Sequence, residues 1–222
     1  FRDPEAVDDV DGADVDAHGP TGGDHEFIAR RERAGSGDLP QYSWFNGTNS
    51  GTGAVTVANG ATLGGSGSIA GAVSIANGGT IAAGNSPGTL TVGSLSLLGS
   101  SNLAYELGDP NLSGGANNDL IIVTNNLTLD GLLTVTDPGT GAGFGLGVYQ
   151  LMTYGGVLTD NGLTVNSLPS PFTGTIQTAI AGQVNLIVAG PGVFTQYWDG
   201  ADFVGNGTID GGSGIWNNAD TN

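Results

Sequence analysis

Three features of the sequence predict an all-β fold, a parallel β-helix built from short strands and turns rich in Gly and Asn. First, the segment Ala54–Leu63 (AVTVANGATL) recurs eighteen residues later as Ala72–Ile81 (AVSIANGGTI). Second, apolar residues alternate within each copy, which is the pattern of a strand with one buried face. Third, an Asn-Gly pair follows each strand and favours a tight turn. Because so short a unit cannot bury its apolar face alone, the copies are expected to stack as a solenoid.

The charge distribution excludes two classes of partner. The formal net charge is −17, and residues 34–222 contain no Lys or Arg. Nucleic acid and anionic membrane surfaces both require clustered cations, so neither is expected to bind. The chain also has no cysteine, which removes disulfides, thiolate metal sites and cysteine nucleophiles.

The sequence lacks the features of a membrane-inserted segment and of an export signal. No run of eighteen apolar residues occurs, so we expect no membrane insertion by this chain. Its first residues, Phe1 to Glu5, include no initiator Met, basic region or apolar region of a signal peptide. We therefore expect the chain to be a fragment of a longer protein.

Residues 1–40 differ from the rest and are expected to form an acidic segment, either disordered or a foreign leader. The alternative is metal binding, since hard cations favour clustered carboxylates. The spacing argues against an EF-hand, because counting from Asp9 places Asp14 and Pro20 where Gly and Glu are required. A metal site between His18 and His25 is a further alternative. The acidic candidates are Asp8, Asp9, Asp11, Asp14 and Asp16.

Residues 41–190 carry the repeat pattern and form the predicted β-helix domain. Tyr42, Trp44 and Phe45 are interpreted as first-strand or capping residues, the alternative being a platform for sugar stacking. Pro87 cannot donate to a strand ladder, so residues 85–88 are expected to form a corner. The turn-rich segment Gly108–Asn118 is expected to be a loop that projects from the wall, where function would reside.

Further strands are expected along the rest of the domain. The unit of Val73 and Ile81 recurs with a displacement of 22 residues. Asp130-Gly131 is a predicted turn, and two runs around Ala181-Gly182 are expected to form a closing hairpin. The predicted strands are 95–97, 103–107, 120–123, 127–129, 132–135, 149–154, 163–165, 175–180 and 183–188.

Several segments of the sequence resemble the autotransporter-associated β-strand repeat of bacterial type V secretion passengers. The resemblance covers roughly residues 45–190 and is carried by Gly60–Ile69, Ala82–Val92, Tyr105–Leu107, Asn118–Ile121, Leu129–Gly131 and Tyr149–Tyr154. Residues 191–222, with Tyr197–Gly200 and Gly207–Asn217, are similar to the spacer that opens a further repeat block, here truncated.

The resemblance implies a right-handed β-helix at the bacterial cell surface, anchored to the outer membrane or secreted. It also implies a C-terminal translocator barrel in the complete protein. The expected function is a structural or adhesive stalk whose partners are surface glycans or proteins of a host or another cell.

Two other function classes remain as alternatives. A polysaccharide-degrading enzyme would need a basic residue or paired carboxylates, and only Asp199 and Asp202 lie close in sequence. A carbohydrate-binding module could use Trp198 and Trp216. Ladders of hydroxyls at Thr89/Thr91 or Thr134/Thr136 recur too irregularly and favour ordinary strand faces. No calcium-binding nonapeptide repeat is present. We therefore assign no catalytic, cofactor-binding or metal residues and expect no cofactor.

Overall fold

The computed structural model describes residues 27–29, 42–84 and 87–191. These residues contain β-strands and no helix, as the sequence predicted. The chain divides into two compact units, Phe1–Pro191 and Gly192–Asn222. The second unit lies outside the described residues, so the spacer at 191–222 stays a prediction. The strands are β1 (Phe27–Ala29), β2 (Tyr42–Trp44), β3 (Thr48–Asn49), β4 (Val55–Val57), β5 (Thr62–Gly65), β6 (Ser68–Ile75), β7 (Thr80–Ala83), β8 (Thr89–Leu97), β9 (Asn102–Glu106), β10 (Leu120–Val123), β11 (Leu127–Leu129), β12 (Leu132–Thr136), β13 (Gly147–Tyr154), β14 (Leu158–Asp160), β15 (Thr164–Ser167), β16 (Thr173–Gln177) and β17 (Gln183–Ala189).

The strands form two sheets that are parallel over most of their extent. A six-stranded sheet has the order β15-β12-β9-β7-β5-β2. An eleven-stranded sheet contains the path β1-β4-β6-β8-β10-β13-β17-β16, with β3, β11 and β14 paired beside it. Parallel sheets of short strands that the chain visits in turn are compatible with a β-helix.

Successive repeats place their strands beside one another at three positions. Position 1 holds β3, the starts of β6 and β8, β10 and the end of β13; position 2 holds β4, the ends of β6 and β8, β11 and β14. Position 3 is the six-stranded sheet. Each repeat therefore adds one strand, or one part of a strand, at each position.

The registers confirm the sequence repeats residue by residue. Val55 lies beside Val73, and Leu63 beside Ile81, at the predicted offset of eighteen residues. Val73 then pairs with Leu95, which confirms the displacement of 22. Gly60, in the first Asn-Gly turn, has a φ of 79°, which L-residues with side chains seldom adopt.

The core consists of columns of aliphatic side chains that stack from one repeat to the next. In the six-stranded sheet the column of Leu63, Ile81, Leu103 and Leu133 is at most 1% exposed. Burial of each such side chain contributes about 1.5–3 kcal/mol. Tyr105 is also buried, and its hydroxyl donates to the Leu151 carbonyl oxygen at 2.9 Å. Burial, and then the charge of Asp119, raises the pKa of Tyr105.

An antiparallel hairpin ends the parallel pairing at position 1. β17 pairs antiparallel with β13 on one side and with β16 on the other. The closing hairpin is thus confirmed, although its first strand ends at Gln177 instead of Ile180. Just beyond its end, the Thr178 hydroxyl donates to the Asp160 carboxylate at 2.8 Å.

The N-terminal strands agree with the prediction in part. β2 is the first strand of the six-stranded sheet, and Phe45 behind it is buried. Tyr42 and Trp44 lie on the outer face instead of covering the core. Almost no strand pattern was expected in residues 1–40, yet β1 pairs in parallel with β4 through backbone groups, which side-chain patterns do not reveal.

Candidate binding surface

Two long loops emerge on the same side of the sheets and pack against each other. We call residues 108–118 and 137–146 the loop pair; the first was predicted as a projecting loop, and the second is rich in glycine. The Asn111 N–H donates to the Val148 carbonyl oxygen at 2.9 Å, and the Val148 N–H donates to Asn111 Oδ1 at 3.1 Å. The Asp109 carboxylate accepts from the Ala142 N–H and from Asn117 Nδ2. The two loops therefore form one surface.

Asn118 holds the first loop at its base. The side chain is 1% exposed and uses both ends of its amide. Oδ1 accepts from the Gly108 and Asp109 N–H groups at 2.9 and 3.0 Å, while Nδ2 donates to the Asp109 and Leu112 carbonyl oxygens at 2.7 and 3.1 Å. An amide offers two donors and one oxygen acceptor with two lone pairs. Asn118 thus satisfies its full hydrogen-bonding capacity within the loop.

Asp119 joins the base of the same loop to two other parts of the chain. Oδ1 accepts from the Gly88 N–H at 2.8 Å, and Oδ2 accepts from the Glu106 N–H at 2.7 Å. The side chain is 2% exposed. Burial raises the pKa of Asp119 to about 7, the two backbone hydrogen bonds oppose that rise, and the charge of Glu106 adds to it.

The second loop is anchored by one carboxylate and one aromatic ring. Asp137 accepts from the Gly139 N–H at 2.8 Å and from the Phe144 N–H at 3.1 Å. The Phe144 ring stacks on Tyr149 with centroids 5.1 Å apart and meets Phe172 edge-on at 5.4 Å. Burial is the main cause that raises the pKa of Tyr149. These contacts fix the second loop on the end of the core.

Four large apolar side chains are exposed on and beside the loop pair, and we call them the apolar patch. Leu112, Leu146, Val148 and Ile187 are 58%, 50%, 42% and 43% exposed. Val148 lies directly opposite Ile187 in the antiparallel pair of β13 and β17, which puts their Cβ atoms about 4.5–5.5 Å apart. Leu112 follows the residue that is hydrogen-bonded to Val148. The patch is thus assembled from both loops and the terminal hairpin.

Among the described residues, acidic side chains are concentrated in and beside the loop pair. The described residues contain six acidic side chains and no Lys, Arg or His. Asp109 and Asp137 lie in the loop pair, and Glu106 and Asp119 lie at its base. Hydrogen bonds from Ala142 and Asn117 lower the pKa of Asp109, which keeps that carboxylate ionised.

A second surface feature lies on the outer face of position 2. Residues with a hydroxyl group occupy one place in five successive strands, a set we call the hydroxyl column: Thr56, Ser74, Ser96, Thr128 and Thr159. The first four line a shallow depression of about 240 Å³, together with Ala72, Ser94 and Asn126 among others. Position 2 therefore presents an uncharged, hydroxyl-bearing groove.

This column was not among the hydroxyl ladders weighed from sequence, which were Thr89/Thr91 and Thr134/Thr136. The sequence intervals between its members are 18, 22, 32 and 31 residues. Unequal loop lengths hide the alignment from a search at fixed period. The pairs considered from sequence do not extend into long columns: Thr91 lies between Ser68 and Ile122, and Thr134 lies between Ala104 and Ser167.

Most residues weighed from sequence as sites lie outside the described part of the chain. They are Asp8, Asp9, Asp11, Asp14, Asp16, His18, His25, Trp198, Asp199, Asp202 and Trp216. Within residues 42–84 and 87–191, no group of three or more His, Cys, Asp or Glu side chains is arranged to hold a metal ion. A membrane-spanning helix does not occur among the described residues.

Comparison with known proteins supports the resemblance found in the repeats. No protein-family model matches the chain. In an alignment of 139 residues that covers 61% of the chain, it is 49% identical to the adhesin BmaC autotransporter of Brucella suis biovar 1 (strain 1330). The chain resembles an autotransporter adhesin. It spans about 4% of that relative's length, so it corresponds to a small part of such a protein, and the similarity confirms the resemblance to an autotransporter passenger.

Proposed function

We propose that this chain is a structural and adhesive passenger segment of a bacterial autotransporter-like protein. In this proposal the two sheets form a right-handed β-helical stalk that carries the loop pair on its side. The similarity to an autotransporter adhesin supports a location at the bacterial cell surface, anchored to the outer membrane or secreted. A translocator barrel elsewhere in the complete protein belongs to the same proposal.

The observation that carries the stalk is the parallel stacking of successive strands, with local register shifts in the β6–β8 and β12–β15 pairs. Six strands of the six-stranded sheet pair in parallel from β2 to β15. At a ladder spacing of about 4.8 Å they extend for about 24 Å. Each repeat in a longer chain would add a further strand to each position, so length grows in proportion to the repeat number.

The observation that favours adhesion over catalysis is the chemistry of the exposed groups. The carboxylates of Asp109 and Asp137 are occupied by loop amides, and Asp119 is bound by two backbone N–H groups. No cation or imidazole is available among the described residues to act as an acid, a base or an electrostatic stabiliser. The loop pair is suited to contact and not to bond cleavage.

Surface attachment tests this function directly. The chain would be displayed on a non-adherent bacterium and compared with a variant in which the loop pair is shortened to tight turns. We expect attachment to immobilised host-cell or bacterial surface proteins that the variant loses while its far-UV circular dichroism is retained. Equal attachment by both displayed chains and by the bare bacterium would contradict the proposal.

A carbohydrate-binding function is the second candidate, and the groove along the hydroxyl column favours it. Hydroxyl and amide groups beside small apolar side chains suit an uncharged sugar chain. Binding on a glycan array that is lost in Ser74→Leu would support this candidate. Release of reducing sugar from a bound polysaccharide would instead indicate the degrading alternative.

A further inference from the structure

We propose that the apolar patch docks a cationic protein segment that presents apolar side chains between its basic residues. The inference rests on the proposed adhesive function and names the class of partner for the loop pair. Its basis is the joint placement of Leu112, Leu146, Val148 and Ile187 beside acidic side chains, in a described part of the chain that contains no Lys, Arg or His.

The patch is held in a fixed arrangement before any partner arrives. Val148 is bound to Asn111 by two hydrogen bonds and pairs with Ile187. The Ser113 hydroxyl donates to the Gln150 side-chain oxygen and connects the first loop to β13. A preformed surface loses little conformational entropy on binding. Exposed apolar groups that converge in this way mark an interaction site more often than single exposed residues do.

The charge around the patch selects among possible occupants. Glu106, Asp109 and Asp137 are three of the six acidic residues in the described part of the chain, which contains no basic side chain. A second copy of this chain would bring an equally acidic corner against the first, and like charges in juxtaposition oppose association. An anionic lipid surface is disfavoured for the same reason.

A cationic protein segment satisfies both properties of the surface. Its Lys or Arg side chains would approach Asp109 and Asp137 at the rim, which accelerates association and makes it sensitive to salt. Its apolar side chains would cover Leu112, Val148 and Ile187, which supplies most of the affinity. A purely basic partner would leave the apolar side chains uncovered, and a purely apolar partner would leave the carboxylates without a counter-charge.

Fluorescence anisotropy with three synthetic peptides tests the proposal on the full chain. The peptides are short and labelled, with alternating Lys and Leu, alternating Lys and Ser, or alternating Glu and Leu. We expect binding of the Lys-Leu peptide, at least about tenfold weaker binding of Lys-Ser, and none of Glu-Leu. Raising the salt from about 50 to about 200 mM should weaken the Lys-Leu complex.

Matched substitutions localise the binding. The variants Val148→Thr and Ile187→Thr keep a β-branched side chain with high strand propensity while they remove apolar surface from the patch. Val157→Thr makes the same type of change at a side chain that is 68% exposed outside the patch. We expect the combined patch variant to bind the Lys-Leu peptide about tenfold more weakly and the Val157→Thr control to bind as wild type does.

Other outcomes overturn the inference without touching the adhesive function. Equal binding of Lys-Leu and Lys-Ser peptides would reduce the contact to charge alone. Unchanged affinity in the patch variant would move the site elsewhere. A dimer in sedimentation velocity that the patch variant abolishes would make a second copy the occupant. In each case, attachment of the displayed chain that depends on the loop pair would still support the function proposed above.

Discussion

The pH dependence of stability should be governed in large part by Asp119, and a comparison with Asp119→Asn tests this. Burial raises the pKa of the carboxyl from 3.8 to about 7, so the folded protein holds this proton more tightly than the unfolded chain does. The contribution of this proton to the free energy of unfolding is fully present below about pH 3.8 and is lost as the pH rises through about 7. Each tenfold difference in proton affinity between the folded and unfolded states corresponds to about 1.4 kcal/mol. Ionisation of Asp119 should therefore lower the free energy of unfolding by about 4 kcal/mol in all.

The Asn variant mimics the neutral acid in shape but not in hydrogen bonding. Its one oxygen can accept from either the Gly88 or the Glu106 N–H, and its NH₂ group faces the other. A buried donor left without an acceptor costs about 1–3 kcal/mol. At pH 5 the variant should therefore be less stable than wild type by about that amount. Above pH 7 the wild type carries a buried charge, so the difference should shrink or reverse.

Urea unfolding at pH 5, 6, 7 and 8.5 measures the difference, because the linear extrapolation gives the free energy of unfolding at each pH. Asp160→Asn is the matched control, since it makes the same Asp-to-Asn replacement at an exposed side chain. A gap between wild type and Asp119→Asn that stays constant across this range, or that widens with pH, would refute the assignment.

Three further substitutions test the packing. Leu103→Ala removes a side chain from the centre of a column and should lower the free energy of unfolding by about 2–5 kcal/mol, whereas Leu98→Ala, at an exposed site, should change it by about 0.5 kcal/mol or less. Gly93→Ala places a methyl group against a backbone carbonyl oxygen and should prevent or strongly weaken folding; Gly99→Ala meets only ordinary contacts and should be tolerated. Ser101→Ala removes a buried hydroxyl without a hydrogen-bond partner and should stabilise by about 1 kcal/mol, measured by urea unfolding.

The strand framework could be predicted from sequence because its signals are local and repeated. Alternating apolar residues around Val55, Val73 and Leu95 each indicate one buried face, and similar segments recur at intervals of 18 and 22 residues, which allows them to be aligned. The Asn-Gly and Asp-Gly turns carry their own conformational preference. Neither kind of signal depends on contacts that are distant in sequence.

The interaction surface could not be predicted because its parts are remote in sequence. Asp119 is bound by Gly88, 31 residues earlier, and by Glu106, 13 residues earlier. In the sequence it follows two asparagines and looks like one more turn residue. Leu112 and Ile187 lie 75 positions apart, and each stands in a segment that is mostly polar or patterned as a strand. Only the pairing of loops and hairpin brings them together.

The unequal repeat lengths have a consequence for how such a protein changes over time. Adjacent strands of position 2 are separated by 18 residues in one repeat and by 32 in another, yet the residues that face each other keep their alignment. Loop length and strand register are therefore independent variables. Insertions at Gly115 or Gly139, where a side chain would meet no neighbouring atom within 4 Å, should add new sequence without altering the core. The same framework can thus diversify its contacts rapidly, and it offers entry points for grafted peptide libraries.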